Sequence, residues 1–146
     1  MKDRKLNLEG FTLIETLVVV IIVGILAAFA APSWAAFVQQ QKLSKAADRV
    51  YWEVMGAQSE AKKDKLTKSP PTTIQDVDPT VTVTYPATMI QFDYRGAVKN
   101  EDVIPYRINL SATDTSKQKC VVVMTILGAT KIGKDASECD ALSSSS

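Results

Sequence analysis

Apolar positions along this chain fall into two regimes. From Phe11 to Pro32 they are nearly continuous, interrupted only by Thr12, Glu15 and Thr16, and Leu17–Ala31 carries no charge. About 20 apolar residues rising about 1.5 Å each cross a bilayer core, so this run predicts a helix of membrane length. After Pro32 the pattern becomes amphipathic. Leu43, Ala46, Val50, Val54, Ala57 and Ala61 recur at helical spacing, flanked by Ala47, Tyr51 and Met55. Lys42, Lys45, Arg49, Glu53 and Glu60 lie off that stripe. One face of a helix is expected to be buried there, with Arg49 and Glu53 spaced to pair one turn apart. A single helix of roughly 80 Å is therefore expected from about Phe11 to about Asp64. Gly56 is its weak point, and Ser69-Pro70-Pro71-Thr72 ends it.

Beyond this helix the period changes to two. Val81, Val83 and Tyr85 alternate with threonines, and Ile90, Phe92 and Tyr94 alternate with Gln91 and Asp93 up to the turn at Arg95-Gly96. Ile104, Tyr106, Ile108 and Leu110 alternate again, with Pro105 marking an edge or a strand start. Cys120–Leu127 is nearly all apolar, as a central strand is. Gly128 and Gly133 bracket a hairpin or bend, and Ser143–Ser146 read as a frayed polar tail. One long helix followed by at least four strands predicts an α+β domain, with an antiparallel sheet or small sandwich packed on the helix.

The flank ahead of the apolar run, Met1 to Gly10, carries Lys2, Arg4 and Lys5. The positive-inside tendency leaves Met1 in the cytoplasm and the remainder outside. A secretory signal cleaved near Ala28–Ala31 and a plain uncleaved anchor share these features. Glu15 stands out, because an acid in a membrane span is costly and marks a functional position unless it reaches water at the surface. Pro32 either bends the helix functionally or is a tolerated kink at the membrane edge.

Leu8-Glu9-Gly10-Phe11-Thr12-Leu13-Ile14-Glu15 resembles the class III signal of type IV pilins and type II secretion pseudopilins. The resemblance implies that a prepilin peptidase cuts between Gly10 and Phe11 and methylates the new amino terminus of Phe11. It implies that Glu15 pairs with the amino terminus of a neighbouring subunit, and that Pro32 lies where many pilins bend this helix. Gln91-Phe92-Asp93-Tyr94-Arg95-Gly96, Tyr106-Arg107-Ile108-Asn109-Leu110 and Val121-Val122-Val123 up to Gly128 are similar to H-type pseudopilins and FimT-type minor pilins. In FimT-type relatives arginines often follow the late glycine, whereas here Ala129 and Thr130 precede Lys131. The organisation expected is a leader over 1–10, a membrane-spanning and filament-core helix over 11–32, an amphipathic continuation over 33–68 and a β-rich part over 69–146. Implied partners are other pilins or pseudopilins, the prepilin peptidase, an inner-membrane assembly platform and the lipid bilayer.

Composition narrows the chemistry. The 146 residues include no histidine, which removes the commonest general base and metal ligand. With no Gly-rich phosphate loop and no Cys-x-x-Cys, no catalytic residue, metal set or cofactor is singled out, and an enzyme is not expected. Cys120 and Cys139 are the only cysteines, and the orientation above puts both where thiols oxidise, which predicts one disulfide. A buried free Cys120 beside an exposed Cys139 is the alternative.

Net charge is +1. Three basic leader residues against Asp3 and Glu9 account for all of it, so the remainder sums to zero. Lys62, Lys63, Lys65 and Lys68 form either a solvated helix end or a nucleic-acid patch. Two functional readings follow: a structural subunit of an extracytoplasmic filament, and a minor pilin that captures DNA. The second requires a local basic patch, such as Lys62–Lys68 meeting Lys131 and Lys134 in space.

Overall fold

The structure, a computed structural model, describes residues 12–75, 77–113 and 116–144, with the side chains of residues 30–33 outside that description. Its elements are α1 (Leu13–Asp64), β1 (Val81–Thr84), a 3-10 turn (Glu101–Val103), β2 (Tyr106–Ala112), β3 (Gln118–Val123), β4 (Thr130–Gly133) and α2 (Ala136–Ser144). The chain divides into two compact units, Met1–Phe37 and Val38–Ser146.

In the first unit no described side chain of α1 from Leu13 to Phe29 is buried. Among the described residues, α1 is the one helix long and apolar enough to cross a membrane, by length and composition.

The second unit holds the core. Leu43, Ala46, Val50, Val54, Ala57 and Ala61 are all buried, together with Ala47, as their spacing predicts. They pack on Val81, Ile90, Phe92, Tyr106, Ile108, Leu110, Val121 and Val123. Each valine or leucine so buried contributes about 2 kcal/mol relative to exposure. Lys62 and Lys63 fill the last turn of α1, where cations complement the helix dipole. Lys65 follows at φ 55°, a left-handed conformation that ends the helix. Positions 65–68, expected to be helical, are therefore outside it.

Four strands pair antiparallel in the order β1-β2-β3-β4, an α+β architecture with α1 on one face. Registers run Val83 opposite Leu110, Ile108 opposite Val121 and Cys120 opposite Gly133. β3 explains its own unbroken apolar run. Val121 and Val123 face the α1 core, while Cys120 and Val122 join Cys139, Met124 and Leu142 in a second cluster beneath α2. A strand covered on both faces has no polar side to show.

Four further expectations are corrected. The segment from Met89 to Tyr94 is not a ladder strand. Asn100 takes its backbone groups through its side chain, accepting from Gln91 N–H at 2.9 Å and donating to the Met89 carbonyl at 2.9 Å. Phe92 exchanges isolated backbone bonds with Lys68 at 2.8 and 3.0 Å. Ile90 and Phe92 are buried as their period implies, but Tyr94 is exposed. Second, β3 ends at Val123 rather than Leu127, because a turn from Thr125 to Gly128 begins there. Third, the interval between Gly128 and Gly133 is itself largely strand β4. Fourth, the polar tail is helical as far as Ser144. Asp135 caps α2 by accepting from Glu138 N–H at 2.8 Å, and Glu138 Oε2 accepts from Lys134 N–H at 2.8 Å. Asp-x-x-Glu is a capping signature readable in the sequence.

Candidate functional site

The first unit presents an apolar helix with one acid near its start. Thr12 precedes α1, and its Oγ1 accepts from Glu15 N–H at 3.3 Å. Thr-x-x-Glu is a capping signature, so Glu15 occupies the third helical position, in the first turn, where a carboxylate complements the positive end of the helix dipole. This gives Glu15 a local role that its reading as an acid in a membrane span did not include. Gly10 and Phe11 lie outside the described residues. Position 32 lies within α1, while the side chain of Pro32 lies outside the description. At the far end of the apolar run, exposed Trp34 and Phe37 stand with ring centroids 6.1 Å apart. Tryptophan is enriched at membrane–water boundaries.

In the second unit the disulfide between Cys120 and Cys139 is formed, with Cα atoms 5.9 Å apart and a sequence separation of 19. It ties α2 to β3. Gly133, opposite Cys120 on β4, makes room for it: a Cβ there would stand 2.6 Å from both sulfurs. The sequence shows the two cysteines and the glycine; only the register shows that they meet.

Of the six lysines singled out from the sequence, Lys134 does not meet the Lys62–Lys68 group. The stem of Lys62 lies against Gly96. Lys68 pairs with Asp64 at 3.0 Å. Lys63 and Lys65 are exposed at the same end of α1. Lys131 is on β4, opposite Val122. Lys134 lines a groove with Gln40 and Leu43, near the start of this unit. The stretch of α1 from Gln40 to Lys62 rises about 33 Å, so Lys134 and the Lys62–Lys68 group belong to opposite ends of the domain.

Gln58 carried no signal in the sequence, yet it is the one buried polar or charged side chain among the described residues. Its Nε2 donates to the Gly96 carbonyl at 2.6 Å and to the Leu127 carbonyl at 3.0 Å. Two carbonyl oxygens on one side decide which end of the amide faces them. Gln58 thereby binds together the turn at Asp93–Gly96 and the turn at Thr125–Gly128, which also share a bond from Val98 N–H to the Ile126 carbonyl at 2.7 Å. Gly128 has φ 82°, and a Cβ there would collide with the Gln58 amide. Both glycines belong to the segments whose resemblance was noted above. The signal that points to Gln58 is a polar residue one position past Ala57 on the buried stripe.

The class defined by this geometry is a membrane-length apolar helix leading into a small disulfide-bonded α+β domain. Comparison with protein-family models, curated proteins and solved structures finds no match.

Proposed function

We propose that this chain is a structural, non-enzymatic subunit of an extracytoplasmic filament: a minor pilin or pseudopilin of a type IV pilus or a type II secretion pseudopilus. In this reading the chain is made as a precursor and held in the inner membrane with its C-terminus outside the cytoplasm. A prepilin peptidase cuts it between Gly10 and Phe11, and it is passed by an assembly platform into a filament with related subunits. One observation carries the proposal. The described apolar side chains of α1 from Leu13 to Phe29 are exposed, while Leu43 to Ala61 of the same helix supply one face of the folded domain's core. Such a helix suits two successive environments, lipid first and neighbouring helices later. Cleavage ahead of the apolar run leaves that helix on the mature subunit, and Glu15 then lies four residues from the new amino terminus.

Two experiments test it. N-terminal mass analysis of membrane and filament fractions is expected to find methylated Phe11 as the first residue; a chain beginning after Ala31 sinks the proposal. Glu15→Ala is expected to insert in the membrane but fail to enter filaments. Glu15→Gln separates two roles, since glutamine still serves at the third helical position of a capping box but carries no charge. If charge pairing with a neighbour matters, Glu15→Gln fails as well. Normal incorporation of Glu15→Gln reduces Glu15 to a helix cap.

A further inference from the structure

A groove of about 410 Å³ lies entirely within the second unit, over Leu43 and between α1, the start of β3 and the start of α2. Its rim carries Lys117, Lys119 and Lys134. Lys117 Nζ donates to Gln40 Oε1 at 2.9 Å, which holds it at the rim and leaves its other hydrogens free. Among the described residues none of the three lysines forms an ion pair. The one carboxylate in the lining, Asp135, is committed to the Glu138 N–H at 2.8 Å and the Ser137 hydroxyl at 2.7 Å. Three cations thus face a concave surface with no described carboxylate of their own chain to neutralise them.

The same unit carries a complement. Glu101 and Asp102 stand exposed side by side on the 3-10 turn ahead of β2, and among the described residues neither side chain forms an ion pair. Lys99 and the lysines that close α1 form no ion pair with either acid. Asn100 pins the turn at its base: its side chain bonds the Gln91 N–H and the Met89 carbonyl at 2.9 Å each, and its carbonyl accepts from Val103 N–H at 3.2 Å. Asp48 and Glu60, also without ion pairs, stand singly on α1.

Turn and groove lie at opposite ends of the sheet. Val98, three residues before Glu101, bonds to the Ile126 carbonyl beyond the end of β3, and Tyr106 after the turn pairs with Val123 at that same end. Lys117 and Lys119 flank Gln118, which pairs with Ser111 at the other end. The strand from Tyr106 to Ser111 spans about 17 Å, further than a lysine and a carboxylate side chain reach towards each other. Unlike patches at two ends of one molecule make heterologous contacts, which repeat from copy to copy into rings or open filaments. We infer that the groove receives the acidic turn Glu101–Val103 of a second copy of this chain. The inference rests on the filament-subunit reading above and deepens it by naming the two surfaces that adjoin. Asn100 presets the turn and Gln40 presets Lys117, so little freedom is lost on contact. Each exposed lysine–carboxylate pair strengthens association about two- to five-fold, and two together about four- to twenty-five-fold.

The test uses the full chain in isolated filaments, treated with a water-soluble carbodiimide that joins a carboxyl to a lysine amine as an amide with no spacer. Peptide mass spectrometry is expected to find Glu101 or Asp102 joined to Lys117, Lys119 or Lys134, a link that the separation within one copy assigns to two copies. Glu101→Lys with Asp102→Lys is expected to lower incorporation of the chain at least about four-fold, and Lys117→Glu with Lys134→Glu to do the same. All four substitutions in one chain are expected to restore it. Filaments that contain the chain but no such link overturn the inference and leave the filament reading intact. Links from the groove lysines to carboxyls of a different subunit assign the groove to that subunit and overturn the second copy. Links from Asp48 or Glu60 as frequent as those from the turn reduce the contact to general attraction between charges and overturn the docking. A combined variant that incorporates no better than either pair alone overturns the pairing. Absence of the wild-type chain from filaments overturns the filament reading and the inference with it.

Discussion

Replacing Gln58 probes the one buried polar group on which two loops depend. Gln58→Ala removes both donated bonds, at 2.6 Å to Gly96 and 3.0 Å to Leu127. The Gly96 carbonyl belongs to a buried residue and loses a partner that water does not readily replace, which costs about 1–3 kcal/mol. Leu127 is 76% exposed, so its carbonyl regains water at small cost. Alanine returns a few tenths of a kcal/mol in helix propensity. The net loss is about 1–2.5 kcal/mol, and in a domain of this size about 4 °C accompanies each kcal/mol. Thermal melting of the full chain in detergent, followed by near-ultraviolet circular dichroism, is expected to fall by about 4–10 °C. Hydrogen exchange is expected to speed up at the Ala97 and Gly128 amides, which close the two turns. Gln58→Glu sharpens the test, because it keeps the shape but aims a carboxylate at two carbonyl oxygens. It is expected to destabilise more than alanine at pH 7 and to recover in part when acid returns a proton to the side chain. A Gln58→Glu protein that melts with the wild type at pH 7 refutes the reasoning.

Removing the disulfide by Cys120→Ser with Cys139→Ser is expected to cost about 3 kcal/mol for a loop of this length and to open α2 to protease; alkylation of both cysteines in the unreduced native protein would contradict the bond itself. Gly56→Ala is expected to raise stability by about 0.8–1.0 kcal/mol, since a Cβ there meets nothing within 4 Å; a lower melting temperature for the isolated subunit would show an unrecognised constraint. The Thr80 hydroxyl and N–H, followed by Lys42, hold the Asp78 carboxyl at about 2, below its ordinary 3.8. Its folded value is the depressed one, so its contribution is complete above about pH 4 and is lost as pH falls towards 2. Titration of the Asp78 carboxyl carbon by NMR checks this, Asp78→Asn is expected to flatten the acid limb of stability over that interval, and a midpoint near 3.8 would contradict it.

Period and punctuation carried much of this protein in one dimension. The uninterrupted apolar run, the stripe from Leu43 to Ala61 and the breaker after Asp64 depend on neighbours along the chain, so the sequence alone placed α1 and its buried face. Val81–Thr84 and Tyr106–Leu110 were legible for the same reason, since one face of each meets the core and the other does not. Cys120 and Cys139 could be paired because they were the only two cysteines. Tertiary structure decided what depends on long-range geometry. The alternation from Ile90 to Phe92 looked like a ladder strand, but the Asn100 side chain, nine or more positions away, had taken its backbone partners. Tyr94 kept the period and still faced solvent, because the turn at Asp93–Gly96 had already begun. Lys134 and the lysines at the C-terminal end of α1 were separated by the length of a helix, which no count of charges reveals. Gln58 and Gly133 earned their importance only from what approaches them: two carbonyl oxygens in one case and two sulfurs in the other. Such approaches are set by the register of the sheet and by how α1 and α2 lie against it, and local pattern contains neither.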